Sequence, residues 1–251
     1  MKAVSVIGYH HTGKTTTVVA LIKALCERGY TVSSIKDIHS ENYSADKPGS
    51  NSDLHARAGA ASVFANGLDS SALVFPHRQT LNAMKQHFTT DFLVIEGMKT
   101  APTPKILCAE NEAQIDELMD DTVIAISGMI AGRLTEYRGL PVICLATALP
   151  QLLDIVITKA FPLLPDVEKE CCGECGFDCF TLAGRIVQGL SKRQDCVLDS
   201  GTSLCLTIDG KPIEIVPFIQ RLLTDQIRSF VGNLKEVDAN GSIEISIKPK
   251  I

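Results

Sequence analysis

No apolar run in the 251 residues approaches the roughly 18 uninterrupted residues that a membrane-spanning helix needs, so a bilayer-spanning protein is not expected. Nor is there a basic stretch: the formal net charge is −5, which argues against nucleic acid as the main partner. The N-terminus has no signal-peptide pattern, because its apolar run is short and breaks into a glycine-bounded loop, and a cytoplasmic location is expected. In that compartment disulfides are rarely kept, yet there are nine cysteines. Cys26, Cys108, Cys144 and Cys205 lie singly among apolar neighbours and read as core residues, whereas the other five crowd into residues 171–196.

What the chain does have is a strong opening. Ala3-Val4-Ser5-Val6-Ile7 reads as a short buried strand. It runs into Gly8-Tyr9-His10-His11-Thr12-Gly13-Lys14-Thr15, which fits G-x-x-x-x-G-K-[ST], and a helical pattern follows from Thr16 to Arg28. Strand, loop and helix together are the context a P-loop requires. The two glycines let successive N–H groups turn toward an anion, and the helix N-terminus adds partial positive charge. Gly8, Thr12, Gly13, Lys14, Thr15 and Thr16 are thus the candidate phosphate-binding residues; Lys14 reaches β- and γ-phosphates, and the Thr15 hydroxyl is the candidate Mg²⁺ ligand.

Residues 30–36 read as a second strand, followed by a polar stretch, 37–53, of the length that usually carries function. Segments in this place often approach the γ-phosphate or its metal, which makes Asp37, His39, Asp46 and Ser52 candidates beside the plain reading of a solvated loop. A helix is expected at 54–61, short strands at 62–65 and 71–75, and a helix at 77–88. Residues 91–97, Asp-Phe-Leu-Val-Ile-Glu-Gly, form a buried strand ending in an acid, as in a Walker B segment; Glu96 could hold the Mg²⁺ shell or simply end the strand. Strands at 122–127 and 141–146 and an apolar helix from about Leu149 complete an alternation that predicts a three-layer α/β domain with a mainly parallel sheet and a ligand at the strands' carboxyl ends. Thr158-Lys159-Ala160-Phe161 begins like an [NT]-K-x-D guanine reader, but Phe stands where Asp is needed.

Taken in order, GYHHTGKTT, IKDIH, DKPGSNSDLHARAGA and FLVIEGMK resemble the molybdopterin-guanine dinucleotide biosynthesis protein B (MobB) family over roughly residues 1–160. The segment from Asp46 through Ala60 is the most specific part. Lys36 and His39 fit the family's K-H-x-H-H stretch, while Asp37 and Ser40 stand where histidines are expected. The resemblance implies a GTP-binding, weakly GTP-hydrolysing accessory protein that uses Mg²⁺. It also implies a molybdopterin guanylyltransferase as partner, with a molybdoenzyme as a further candidate, and a homodimer. Glu96 and Asp46 are the candidate catalytic residues, completing the metal shell or positioning water.

Residues 162–170 read as a boundary, and beyond them Cys172, Cys175, Cys179 and Cys196 follow C-x₂-C-x₃-C-x₁₆-C. Three thiolates on a glycine-containing loop and a fourth returning after a helix at 180–189 suit Zn²⁺ or an iron–sulfur cluster. CGECGFDCFTLAGRIVQGLSKRQDC is similar to the four-cysteine [4Fe–4S] domain of Rnf-type electron-transport subunits and corrinoid iron–sulfur proteins, which implies a [4Fe–4S] cluster on these four residues, with Cys171 extra. The tail reads as strands at 203–208 and 212–216, a helix at 218–234 and a last strand at 243–247. The expected organisation is a P-loop domain (1–162), a cluster module (166–200) and a small α+β tail (201–251). The leading expectation is an accessory protein of molybdenum- or tungsten-pterin guanine dinucleotide biosynthesis; the rivals are a nucleotide-gated iron–sulfur redox protein and a nucleotide-dependent metal chaperone.

Overall fold

The central sheet is made of runs that are apolar toward both faces, which is what a strand covered by helices on each side requires. A computed structural model describes residues 1–40, 42–166, 175–196, 204, 206–208, 211–213, 217–234, 243 and 245. In chain order the first half comprises β1 (Lys2–Gly8), α1 (Lys14–Glu27), β2 (Val32–Lys36), α2 (Asn51–Arg57), the hairpin β3 (Val63–Asn66) and β4 (Ser71–Val74), α3 (Leu81–Lys85), β5 (Phe92–Glu96), β6 (Lys105–Cys108), α4 (Glu112–Leu118) and β7 (Val123–Ser127). There follow β8 (Glu136–Tyr137), β9 (Leu140–Pro141), α5 (Leu145–Lys159), β10 (Phe161–Pro162), α6 (Cys179–Val187), the pair β11 (Leu206–Ile208) and β12 (Lys211–Ile213), and α7 (Pro217–Gly232).

The order β2-β5-β1-β6-β7 is parallel throughout, and β10 adds an antiparallel contact at the start of β1, with Lys2 opposite Pro162. The expected α/β architecture is therefore what the chain forms. Every residue of β5, β6 and β7 is buried, while β2 (VSSIK) is an edge strand with serines and a lysine toward solvent. Alternation sorts the core: Val4, Val6, Val94 and Ile106 face α1 and α5, whereas Leu93 and Ile95 pack with Leu81 on the opposite side. Leu164, Leu182, Ala183, Val187 and Cys196 belong to the same cluster as α1 and α5, so α6 packs into the core of the sheet.

Two of the expected elements are lost or shortened. The strand expected at 141–146 is absent: β9 ends at Pro141, Val142 makes one parallel bridge to Ile126, and a helical turn begins at Leu145. Pro141 has no N–H to give a ladder, and the helix proper restarts after a break at Ala148 (φ −133°, ψ 24°), just before Pro150. The helix expected at 77–88 shrinks to Leu81–Lys85, started by the Thr80 hydroxyl accepting from the Ala83 N–H at 3.2 Å. Most of the strand expected at 243–247 lies outside the described residues. Among the described residues, no helix is long and apolar enough to cross a membrane.

Candidate nucleotide site

β1 ends in Gly8, and the chain curls through residues 9–13 into α1, whose N-cap is Gly13 in the left-handed region (φ 99°). Gly8 is required by close approach as well as conformation: a Cβ there would overlap the carbonyl oxygen of Cys108 at the end of β6 and meet Thr12 Oγ1 at 2.7 Å. Thr12 is buried, and its hydroxyl donates to the Tyr9 carbonyl at 2.9 Å, bracing the loop from within. Lys14 Nζ also donates to the Tyr9 carbonyl. Burial lowers the Lys14 pKa, with the charges of Lys36 and Lys99 adding to that and Cys108 and Glu96 opposing it.

The loop opens onto a cavity of about 1040 Å³ lined by Gly8, Gly13, Lys14, Thr15 and Thr16 from the loop, with Lys36, Asp37, Arg78, Glu96 and Lys99 around them. Four cationic side chains face two carboxylates there, a balance suited to a polyanion. Lys99 lies over the Tyr9 ring, 4.7 Å from its centroid, and the Tyr9 hydroxyl donates to Glu117. His10 and His11 line the wall, His11 with φ 62°.

Glu96 is the hub. It ends β5 directly beside the loop, in register with Val6 of β1 on one side and Lys36 of β2 on the other. Its Oε1 accepts the Thr15 hydroxyl at 2.9 Å and the Lys36 ammonium at 2.7 Å. Burial pushes the Glu96 pKa up, but the hydrogen bonds from Lys36 and Thr15 and the charges of Lys36 and Lys14 outweigh it and hold the carboxyl below its ordinary value. A hydroxyl and a carboxylate in contact at the head of α1 are hard oxygen donors of the kind Mg²⁺ takes, so the donor set fits that ion.

The polar segment after β2 divides between two cavities. Asp37 donates its N–H to the Glu96 carbonyl, and its buried carboxylate binds Arg78 at 2.6 Å and His39 at 2.9 Å. Asp46 does not line the P-loop cavity. It stands in an adjoining one of about 620 Å³, which shares Lys36, Asp37 and Arg78 with the first. There the Ser52 and Ser50 hydroxyls and the Lys47 N–H hold the Asp46 carboxyl below its ordinary range and tie up the turn before α2. The roles of Lys36 and Arg78 are not evident from the motifs. Lys36 has two signals, its place in the K-H-x-H-H-like stretch and its position at the end of a parallel strand, as Glu96 has; Arg78, 41 residues from Asp37, has none.

Of the four expected cluster ligands, Cys172 lies outside the described residues, as does Cys171. Cys175 and Cys179 are half-buried and Cys196 is buried. Among the described residues no three His, Cys, Asp or Glu side chains come close enough to share a metal ion. Arg193, itself buried, sits against Cys196 and near Cys179, and donates to the Pro162 carbonyl at 2.6 Å and the Leu163 carbonyl at 3.0 Å.

The sheet order, the loop at the end of β1 and the acid at the end of β5 define a P-loop protein of the α/β class. More closely, the chain belongs to the MobB family, molybdopterin guanine dinucleotide synthesis protein B, whose model matches residues 3–129. It is similar to the molybdopterin-guanine dinucleotide biosynthesis adapter protein of Haemophilus influenzae, with 33% identity over 49% of this chain and 71% of that one. A Methanocaldococcus jannaschii protein, named as a candidate adapter of the same biosynthesis, is 27% identical over 98% of this chain and 97% of its own length, so that likeness includes the cysteine segment. The crystal structure of Bacillus subtilis MobB superposes with a TM-score of 0.53 at 26% identity, covering 64% of this chain and 99% of that one.

Proposed function

We propose that this protein is a GTP-binding accessory factor, with at most weak GTPase activity, that assists attachment of a guanine nucleotide to a molybdenum or tungsten pterin. The observation that carries the reading is the Thr15–Glu96 contact at the head of α1, 2.9 Å long, in a chain of the MobB family. The backbone of residues 8–13 and Lys14 bind the phosphates, and Thr15 and Glu96 hold Mg²⁺, which when bound neutralises charge on the phosphate oxygens. Glu96 is also the group placed to orient a water. Asp46, held in the wall of the adjoining cavity, organises the turn before α2. Guanine over adenine is supported by family membership. The adapter names of the relatives support a partner in the same biosynthesis, for which a molybdopterin guanylyltransferase is the proposal, with the factor acting as a homodimer. Under this reading purified protein binds GTP with Mg²⁺ and retains the guanylyltransferase on a column. Absence of GTP binding, or no retention in either nucleotide state, would defeat it.

A second reading adds a redox centre to the first: Cys172, Cys175, Cys179 and Cys196 hold a [4Fe–4S] cluster in a module at 166–200, between the nucleotide-binding unit at 1–162 and the tail at 201–251. The supporting observation is Arg193, a buried guanidinium set against Cys196 and near Cys179, the counter-charge that buried thiolates need. The same thiolates would serve a nucleotide-gated electron carrier or a metal chaperone. Anaerobic purification should give a brown protein with about four irons per chain. A colourless, zinc-loaded protein would replace the cluster by zinc, and loss of metal on GTP hydrolysis would favour the chaperone.

A further inference from the structure

The Glu96 oxygen that faces the P-loop already has two donors. Thr15 and Lys36 both point at Oε1, at 2.9 and 2.7 Å. The second is dictated by the sheet: Lys36 and Glu96 are register partners on adjacent parallel strands and project to the same face. A divalent cation held by Thr15 and Glu96 would share that carboxylate and bring two positive charges close to the ammonium. Lys36 and the divalent ion are therefore competitors for one carboxylate.

The displaced ammonium has somewhere to go. The Lys36 side chain is 56% exposed even while paired, and it lines the same cavity as Lys14 and Thr15. Lys14 is placed by the loop, its ammonium now spent on the Tyr9 carbonyl, whereas Lys36 approaches from the opposite wall, off the end of β2. Its flexible four-carbon stem leaves the ammonium free to swing within that shared cavity.

We propose that Lys36 is an exchangeable cation of the site: it neutralises Glu96 in the free protein, yields that carboxylate to Mg²⁺ when nucleotide arrives, and then binds the terminal phosphate of a nucleoside triphosphate. It thereby distinguishes triphosphate from diphosphate. The inference rests on the nucleotide reading above. It also gives the segment after β2 a signal to carry, because the next residue, Asp37, is bonded through its N–H to the Glu96 carbonyl and through its carboxylate to Arg78, on the wall shared with the adjoining cavity.

The test compares wild type, Lys36→Met and Glu96→Gln by calorimetric titration with GTP and GDP, with and without Mg²⁺. Lys36→Met should lose roughly 10- to 100-fold in affinity for Mg²⁺-GTP, the worth of a charge-assisted hydrogen bond, and almost nothing for GDP. The same variant, without nucleotide, should bind Mn²⁺ more tightly than wild type in an electron-paramagnetic-resonance titration. Glu96→Gln frees Lys36, so GTP without Mg²⁺ should bind more tightly than to wild type; this arm keeps the test alive if Lys36→Met does not fold. Equal losses for GTP and GDP in Lys36→Met, or weaker Mg²⁺-free GTP binding in Glu96→Gln, overturn the proposal while leaving the nucleotide reading intact. A wild-type protein that binds neither nucleotide overturns both.

Discussion

Gly128, just past the end of β7, is pressed against Thr12 in the P-loop: a Cβ at 128 would overlap the Thr12 carbonyl oxygen and meet the N and O of Ala109 at 3.0 Å. Its φ of +89° is also one that other residues resist. The phosphate loop thus rests on a glycine 116 positions later, numbered from 12 to 128. Gly128→Ala should destabilise the fold by about 1–3 kcal/mol and weaken GTP binding by displacing residues 12–13. Thermal melts and GTP titration check both; a variant with unchanged melting and affinity contradicts the packing.

Glu96 should leave a signature in acid. Its folded pKa lies below the ordinary 4.5, so its contribution to stability is complete above that value and is lost as pH falls through the folded pKa. Glu96→Gln, which resembles the protonated acid, should therefore melt below wild type at neutral pH, and the gap should close on acidification below about pH 4.5. Melting curves between pH 3 and 7 test this. A gap independent of pH would mean that shape, rather than charge, sets the cost.

Two cysteines should differ sharply in reactivity. Burial pushes the Cys108 thiol up to about 11, against a smaller opposing effect of the Thr17 hydroxyl and the Lys14 charge. Cys144, at the start of α5, is lowered by the Ala146 N–H first and then by Thr147. Brief iodoacetamide treatment of the native protein near pH 8, followed by peptide mass spectrometry, should label Cys144 and leave Cys108 untouched. Comparable labelling would show that the core around Cys108 opens readily.

Lys105 opens β6 fully buried, its ammonium 2.9 Å from Asp120 and 4.1 Å from the centroid of the Phe180 ring. Burial lowers its pKa, and Asp120 opposes that shift. Lys105→Ala should cost about 2–4 kcal/mol through the lost stem and the abandoned Asp120, and Lys105→Met distinctly less, because the volume is kept. Urea denaturation of the two variants distinguishes these effects; equal losses would assign the cost to the charge alone.

Lys105 also shows where reading the chain from its residues reaches an end. β1, the P-loop, α1 and β5 are legible because apolar runs of the right length meet glycine or acid at their boundaries. β6 is not, since Lys-Ile-Leu-Cys opens on a residue that ordinarily faces water, and it is Asp120 and Phe180, 15 and 75 positions away, that make its burial tolerable. α4 was within reach: the Asn111 side chain accepts from the Gln114 N–H at 3.0 Å, a cap spelled out in the sequence. Within the site, the loop and Glu96 follow from motif, whereas Asp46 is drawn away by hydrogen bonds to its own turn. The Asp37–Arg78 pair depends on how β4 leads into α3, which no local pattern records.

β1 is a single shaft between the P-loop and the segment that carries Arg193 and Cys196. Its carboxyl end becomes the phosphate loop, and its amino end lies against Pro162, whose carbonyl is gripped by Arg193 beside Cys196. Six residue steps of extended chain span about 20 Å. The phosphate loop and the Arg193 clamp on Pro162 therefore stand at opposite ends of one strand.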